Sequence, residues 1–185
     1  MNHIFCIVGP SGSGKTTLGE YLKNFDWIGE IVSHTTRKMR KNEEYGDPYY
    51  FVDENQFQNL TLIEEVKYGG NYYGFAKEEI LDKISKYDVI FAIVDMHGVE
   101  QLQEEFPKAN INIIYIYSTM EECINRMKKR DENKILKRLK HADKTNEFLN
   151  HKYADYIVRN KDNKLKAAKT QLAEIFIYET FERWE

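Results

Sequence analysis

A chain of 185 residues, 42% of them hydrophobic, can bury one good core, and at this length one compact unit is expected rather than two independent domains. A formal net charge of −3 and a sequence pI near 6.0 leave no basic excess to displace counterions, so a nucleic acid polymer is not expected as a partner and any positive potential must be local. The opening MNHIFCIVGP has no charged leader, and the apolar runs VIFAIV and INIIYIY are too short to span a bilayer, so a cytoplasmic protein without a membrane partner is expected.

Taken in chain order, His3 to Val8 is an apolar, β-rich run ending at Gly9, and Lys15 to Phe25 has helical composition, giving a strand, a glycine-rich turn and a helix. The segment from Ile31 to Tyr87 breaks this rhythm, being rich in Tyr, Gly and Asn with short strand-like pieces such as YYFV. It reads as an insertion beside a parallel sheet, too small to fold alone. Val89 to Val94 and Ile111 to Tyr117 are continuously apolar rather than alternating, as in strands covered by helices on both faces. Gly98 to Glu105, Met120 to Lys129 and Leu136 to Asn150 read as helices, Tyr156 to Val158 as a short strand, and Asn163 to Phe181 as a closing helix. Cys6 and Cys123 lie far apart with no CxxC spacing and read as buried thiols, and the five histidines show no ligand spacing. The expected fold is a three-layer α/β P-loop domain with a central parallel sheet.

The turn itself, GPSGSGKTTL, matches G-x-x-x-x-G-K-[ST] at Gly9, Gly14, Lys15 and Thr16. Glycines let successive backbone N–H groups turn onto phosphate oxygens, Lys15 reaches the β and γ phosphates, and the Thr16 hydroxyl ligates Mg²⁺. The following helix aims its positive end at the same anion. The nucleotide-binding set is therefore Gly9, Ser11, Gly12, Ser13, Gly14, Lys15, Thr16 and Thr17, with a nucleoside triphosphate and Mg²⁺ as the expected ligands. A flexible Gly/Ser turn is the structural alternative, but the strand before and the helix after the motif supply the context that its mechanism requires.

A P-loop does not by itself separate a hydrolase from a switch or a phosphotransferase. The segment contains SHTTRKMR, EEYGDPYYFV and EEVKYGGNYYG. Arg37 and Arg40, three apart, can present two forks to one phosphate, and the hydroxyls of Tyr49 and Tyr73 can complete an oxyanion cage. A solvated basic turn with core tyrosines fits the same composition.

In their order, Ser-x-x-x-Arg-x-x-Arg, Glu-x-x-Gly-x-x-Tyr and Gly-Asn-Tyr-Tyr-Gly resemble the guanylate kinases, over nearly the whole length. The resemblance implies transfer of the γ-phosphate of ATP to GMP and dGMP, with Arg37, Arg40, Tyr49 and Tyr73 on the acceptor phosphate. Ser33 and Glu64 would face the guanine, and Asp95 would lie near the base or the metal shell, making Thr16 and Asp95 the metal residues. A carboxylate at Glu64 accepts from guanine N1–H and the N2 amine, whereas adenine N1 would repel it. Arg126, Arg130 and Arg138 align with lid arginines and join Lys15 and Arg37 as catalytic groups, while Asn160 matches a position near adenine. The layout implied is one domain: core 1–30, 88–125 and 142–185, a GMP-binding insertion 31–87 and a lid 126–141, acting as a monomer or homodimer.

Two departures stand out. Where the family continues Gly-Asn-Tyr-Tyr-Gly with Ser or Thr, this chain has Phe75, which cannot donate to guanine O6. Ile93 stands where the family tends to have an acid two positions before Asp95, placing more weight on Thr16, Asp95 and water around the metal. The alternatives are a kinase for a different phosphorylated small molecule, which Phe75 permits, and a guanylate-kinase-like binding module without catalysis.

Overall fold

The structure, a computed structural model, describes residues 3–68, 70–130 and 135–182. Its central sheet has five parallel strands in the order β10 (Tyr156–Arg159), β9 (Asn110–Tyr117), β1 (His3–Val8), β8 (Val89–Ile93) and β2 (Ile28–Glu30). Every residue of β1 is buried, because both faces of the sheet are covered.

The alternation of side chains along β1 builds two cores from one strand. Phe5 and Ile7 pack with Phe91, with Leu18 and Leu22 of α1 (Lys15–Leu22), and with Leu172 and Phe176 of α7 (Leu165–Ile177). Ile4 and Cys6 face the other way, onto Ile80 of α3 (Lys77–Lys86) and Val99 and Leu102 of α4 (Met96–Glu105). This gives helix, sheet and helix layers, with Gly9 and the turn after it at the carboxyl end of the central strand, where α/β sheets bind ligands.

A second sheet runs β4 (Glu44–Tyr45), β5 (Pro48–Phe51), β3 (His34–Thr35), β7 (Asn71–Ala76) and β6 (Leu62–Tyr68), the last two forming an antiparallel pair. Asp53 and Gln56 close a capping box on the short α2 (Glu54–Gln58) between β5 and β6. Among the described residues the second sheet has no core cluster of its own: Ile31 and Phe75 are buried in the same cluster as Ile4 and Ile90. The helix α3 follows β7 and belongs to the layer on the central sheet, although sequence patterning placed it inside the insertion.

Three elements depart from the sequence expectation. Helix α1 stops at Leu22 and passes into tight turns at Asn24 and Phe25. The three-residue edge strand β2 carries too short a pattern to be seen. The helix expected over Leu136 to Asn150 ends as α6 (Ile135–Lys144), following α5 (Met120–Arg130). Asn146 takes φ 52°, its N–H donates to the Asp143 carbonyl, and the Glu147 N–H reaches back to Ala142 at 2.9 Å. These two bonds satisfy the last carbonyls of α6, which is how a left-handed residue terminates a helix.

Candidate active site

The turn between β1 and α1 depends on glycine. Gly12 has φ 87°, and a Cβ there would stand 2.6 Å from the Cys123 carbonyl oxygen, so the backbone of α5 packs directly under the loop. Gly14 offers no side chain to cap α1, which leaves the first-turn N–H groups to an anion. Lys15 folds back along the loop, its Nζ donating to the carbonyls of Gly9 at 2.5 Å and Pro10 at 3.2 Å. Burial pushes the Lys15 amine below its ordinary pKa, opposed first by the negative charge of Glu147 and then by Cys123 and Asp95.

Arg126 and Asn160 brace the same loop through its carbonyls. The Asn160 amide donates to the Ser13 carbonyl at 2.7 Å. Arg126 Nη1 donates to Gly12 O at 3.3 Å, Ser13 O at 3.2 Å and Ser118 Oγ at 2.9 Å, while Nη2 reaches Asn160 O and Asp162, each at 2.8 Å. With its donors so committed, Arg126 is a strut of the loop in this arrangement. Ser13 is fully buried, lines neither of the cavities described next, and ties the loop together through its N–H, which donates to the Pro10 carbonyl at 3.0 Å, and its carbonyl.

Two cavities flank the loop. The larger, about 610 Å³, has Ser11, Gly12, Thr16, Thr17, Arg138 and Asn160 in its walls. The smaller, about 450 Å³, is bounded by Gly9, Ser33, Glu64, Tyr73, Phe75 and Asp95. Lys15 and Tyr49 line both. The two cavities therefore adjoin at Lys15 and Tyr49.

Glu64, on β6, is 7% exposed, and burial, helped by the neighbouring Asp95, pushes its carboxyl up to about 7. Asp95 caps α4 by accepting from the Gly98 N–H at 3.0 Å. A Cβ at Gly98 would come within 2.9 Å of the Glu64 carboxyl, so this helical glycine makes room for the acid.

Of the predicted acceptor residues, Ser33, Tyr49, Glu64, Tyr73 and Asp95 share the smaller cavity, but neither arginine lines it. Arg37 is engaged fork to fork by Glu43 and lies 5.4 Å from the Tyr49 ring centroid. The side chain of Arg40 is 69% exposed, with Nη1 3.8 Å from Glu43. Thr16 and Asp95 lie in different cavities. Phe75 is 2% exposed and serves the core as well as the cavity wall. The side chain of Arg130 lies outside the described residues.

Sequence reasoning missed Thr145, Glu147 and Asn150, which close the smaller cavity from the segment after α6. The continuous helix expected there hid them; the one cue was Asn146, a residue type that tolerates left-handed backbone.

The fold and this pair of cavities define an α/β P-loop nucleotide-binding protein with a second pocket reached through the loop lysine. A sequence model of the family described as guanylate kinase matches residues 1–179. Among curated relatives, the guanylate kinase of Bartonella quintana is 33% identical over 97% of this chain and 83% of its own length. That of Mycoplasma genitalium is 35% identical over 94% and 76%. The crystal structure of guanylate kinase from Anaplasma phagocytophilum superposes with a TM-score of 0.68 at 25% identity, covering 98% of this chain and 86% of that one. The chain belongs to the guanylate kinase family.

Proposed function

We infer that the protein is a guanylate kinase, moving the γ-phosphoryl group of ATP to GMP to give ADP and GDP. The observation that carries the reading is the placement of Lys15 in the walls of both cavities. The larger cavity takes ATP, with its phosphates on the N–H groups of Ser11, Gly12 and Gly14 to Thr17, that of Ser13 being held by the Pro10 carbonyl, and its base toward Asn160 and Asp162. The smaller takes GMP, and dGMP by the same contacts. A phosphate oxygen of GMP attacks the γ-phosphorus while the bond to the β–γ bridging oxygen breaks, leaving that oxygen on ADP. Such a transfer asks the protein mainly for alignment and for cations around the moving group.

Lys15 supplies one such cation at the junction, and Arg138, in the wall of the larger cavity, a second. Arg126 acts through the loop that it braces. Residues 126–141 serve as the lid and the second sheet as the GMP-binding subdomain. Glu64, as carboxylate, accepts from guanine N1–H and N2–H, with Ser33 the hydroxyl donor for O6. Arg37 and Arg40 take the GMP phosphate by exchanging Glu43 for it.

Among the described residues no cluster of three or more His, Cys, Asp or Glu could hold a metal. Mg²⁺ would be held mostly by phosphate oxygens and water, with Thr16 from the larger cavity and Asp95 from the smaller as the protein contributors. When bound, it would offset charge developing on the transferred group. Among the described residues no helix is long and apolar enough to cross a membrane, and a cytoplasmic location, with the chain acting as a monomer or homodimer, completes the reading.

The test is ADP release from ATP and Mg²⁺ across GMP, dGMP, IMP, AMP, UMP and CMP. GMP should be consumed fastest. A faster acceptor among the others would point to another phosphorylated substrate, and no ADP with any of them to a binding module.

A further inference from the structure

Glu147 is the one carboxylate that touches the glycine-rich loop among the described hydrogen bonds: its Oε2 accepts from the Ser11 N–H at 3.1 Å. The contact is built. The left-handed Asn146 ends α6 so that Glu147 is the third residue past the helix, its own N–H tied to Ala142 at 2.9 Å. Its carbonyl accepts from the Tyr115 hydroxyl, on the central sheet, at 2.9 Å. The side chain is 14% exposed and lies 3.8 Å from His141 Nε2. It is also the foremost of the charges that oppose the lowering of the Lys15 pKa by burial.

A carboxylate on a loop N–H, beside the loop lysine, stands where a phosphate oxygen would stand, since the same donor cannot serve both. Glu147 lines the smaller cavity with Gly9 and Lys15, whereas Thr16, Thr17 and Asn160 line the larger. Ser11 lines the larger cavity, so its bond to Glu147 runs from one cavity to the other, where the last phosphate of a donor chain would arrive.

We propose that Glu147 is an internal anion that competes with the terminal phosphate of the donor for the Ser11 N–H and Lys15, and so sets the affinity for a nucleoside triphosphate relative to a diphosphate. The inference rests on the reading of the loop as the triphosphate holder. Displacement of the carboxylate couples donor binding to movement of the segment after α6. After transfer the ADP left behind lacks the group that displaced it, so Glu147 returns to the loop and favours product release. An enzyme that must release a diphosphate on each turnover gains from weakening its hold once the terminal group has left.

The experiment is calorimetric titration of the full chain with MgATP and with ADP, in wild type, Glu147→Gln and Lys15→Ala. Glutamine keeps the shape and an acceptor for Ser11 while removing the charge. Glu147→Gln should bind MgATP about tenfold tighter, a difference of about 1.4 kcal/mol, with a much smaller gain for ADP. Should that variant fail to fold by circular dichroism, the isosteric Tyr115→Phe, which releases the Glu147 carbonyl, should shift MgATP affinity in the same direction by less. Unchanged or weaker MgATP binding, or an equal gain for ADP, overturns the proposal while leaving the kinase reading in place. Failure of wild type to bind either nucleotide overturns both, and Lys15→Ala, expected to lose MgATP affinity, separates loop binding from binding elsewhere.

Discussion

Arg37 and Glu43 hold each other fork to fork, with Nη1 2.9 Å from Oε2 and Nη2 2.9 Å from Oε1. The Arg37 guanidinium beside it holds the Glu43 carboxyl below its ordinary pKa, and the Arg40 N–H donates to the same group at 2.9 Å. One carboxylate thus engages both arginine positions as an acceptor phosphate would. Arg37→Ala should raise the KM for GMP by about 10- to 100-fold, the worth of charge-assisted bonds of roughly 1.5–3 kcal/mol, with little change in the KM for ATP. Steady-state kinetics with each substrate varied in turn checks this; equal effects on both would remove Arg37 from the acceptor side.

Lys15→Ala should lower kcat by about two to three orders of magnitude, as removal of one preorganised donor at a charged transition state does elsewhere. Its bonds run to Gly9 and Pro10 carbonyls within the loop, so far-ultraviolet circular dichroism and the Tm should stay close to wild type. Retained turnover would contradict the role.

The Glu64 carboxyl, pushed up to about 7 by burial and then by Asp95, is charged mainly above that pH. Only the carboxylate can accept from both guanine donors, so the KM for GMP should rise as pH falls below about 7, approaching tenfold per pH unit. Glu64→Gln should flatten this profile and weaken selection of GMP over AMP. A KM for GMP independent of pH between 6 and 8 in wild type would contradict the assignment.

Gly98→Ala places a methyl 2.9 Å from the Glu64 carboxyl, at a helical position that otherwise favours alanine by about 1 kcal/mol. The variant should therefore keep or slightly raise its Tm while losing affinity for GMP. Loss of stability without a change in KM would show that Glu64 accommodates the methyl without leaving its place.

Phe75→Ser, which would restore a hydroxyl beside the base, removes a side chain that is 2% exposed and packed with Ile4, Ile31 and Ile80. It should cost about 3 kcal/mol or more in urea unfolding, so any gain at guanine O6 has to be read well below the variant's Tm. A neutral effect on stability would mean that the ring contributes to the cavity and not to the core.

The parts of this molecule that a linear pattern encodes were legible. The β1 run, the glycine-rich turn and the apolar β8 and β9 stretches each carry their reason within a few consecutive residues. Ser33, Glu64 and Tyr73 were named through the family resemblance rather than by their own surroundings, and the fold gathers all three in one cavity. What escaped depends on partners distant in sequence. The closeness of Glu147 to Ser11 spans 136 residues and hangs on a single left-handed asparagine. Arg126 was singled out from sequence as a lid arginine, but its bracing of the loop was not, since only the return of β10 beside β9 brings Asn160 and Asp162 within its reach. The Arg37 pairing was equally hidden, since a glutamate six residues on reads as surface charge until β4 and β5 fold it back.

The central claim is direct transfer between two cavities that meet at Lys15, and ³¹P NMR of ATP, GMP and Mg²⁺ with the protein measures it. The account predicts that the γ resonance of ATP is lost in step with the appearance of the β resonance of GDP, with negligible inorganic phosphate. Accumulation of inorganic phosphate in place of GDP, or no change on adding GMP, would contradict it.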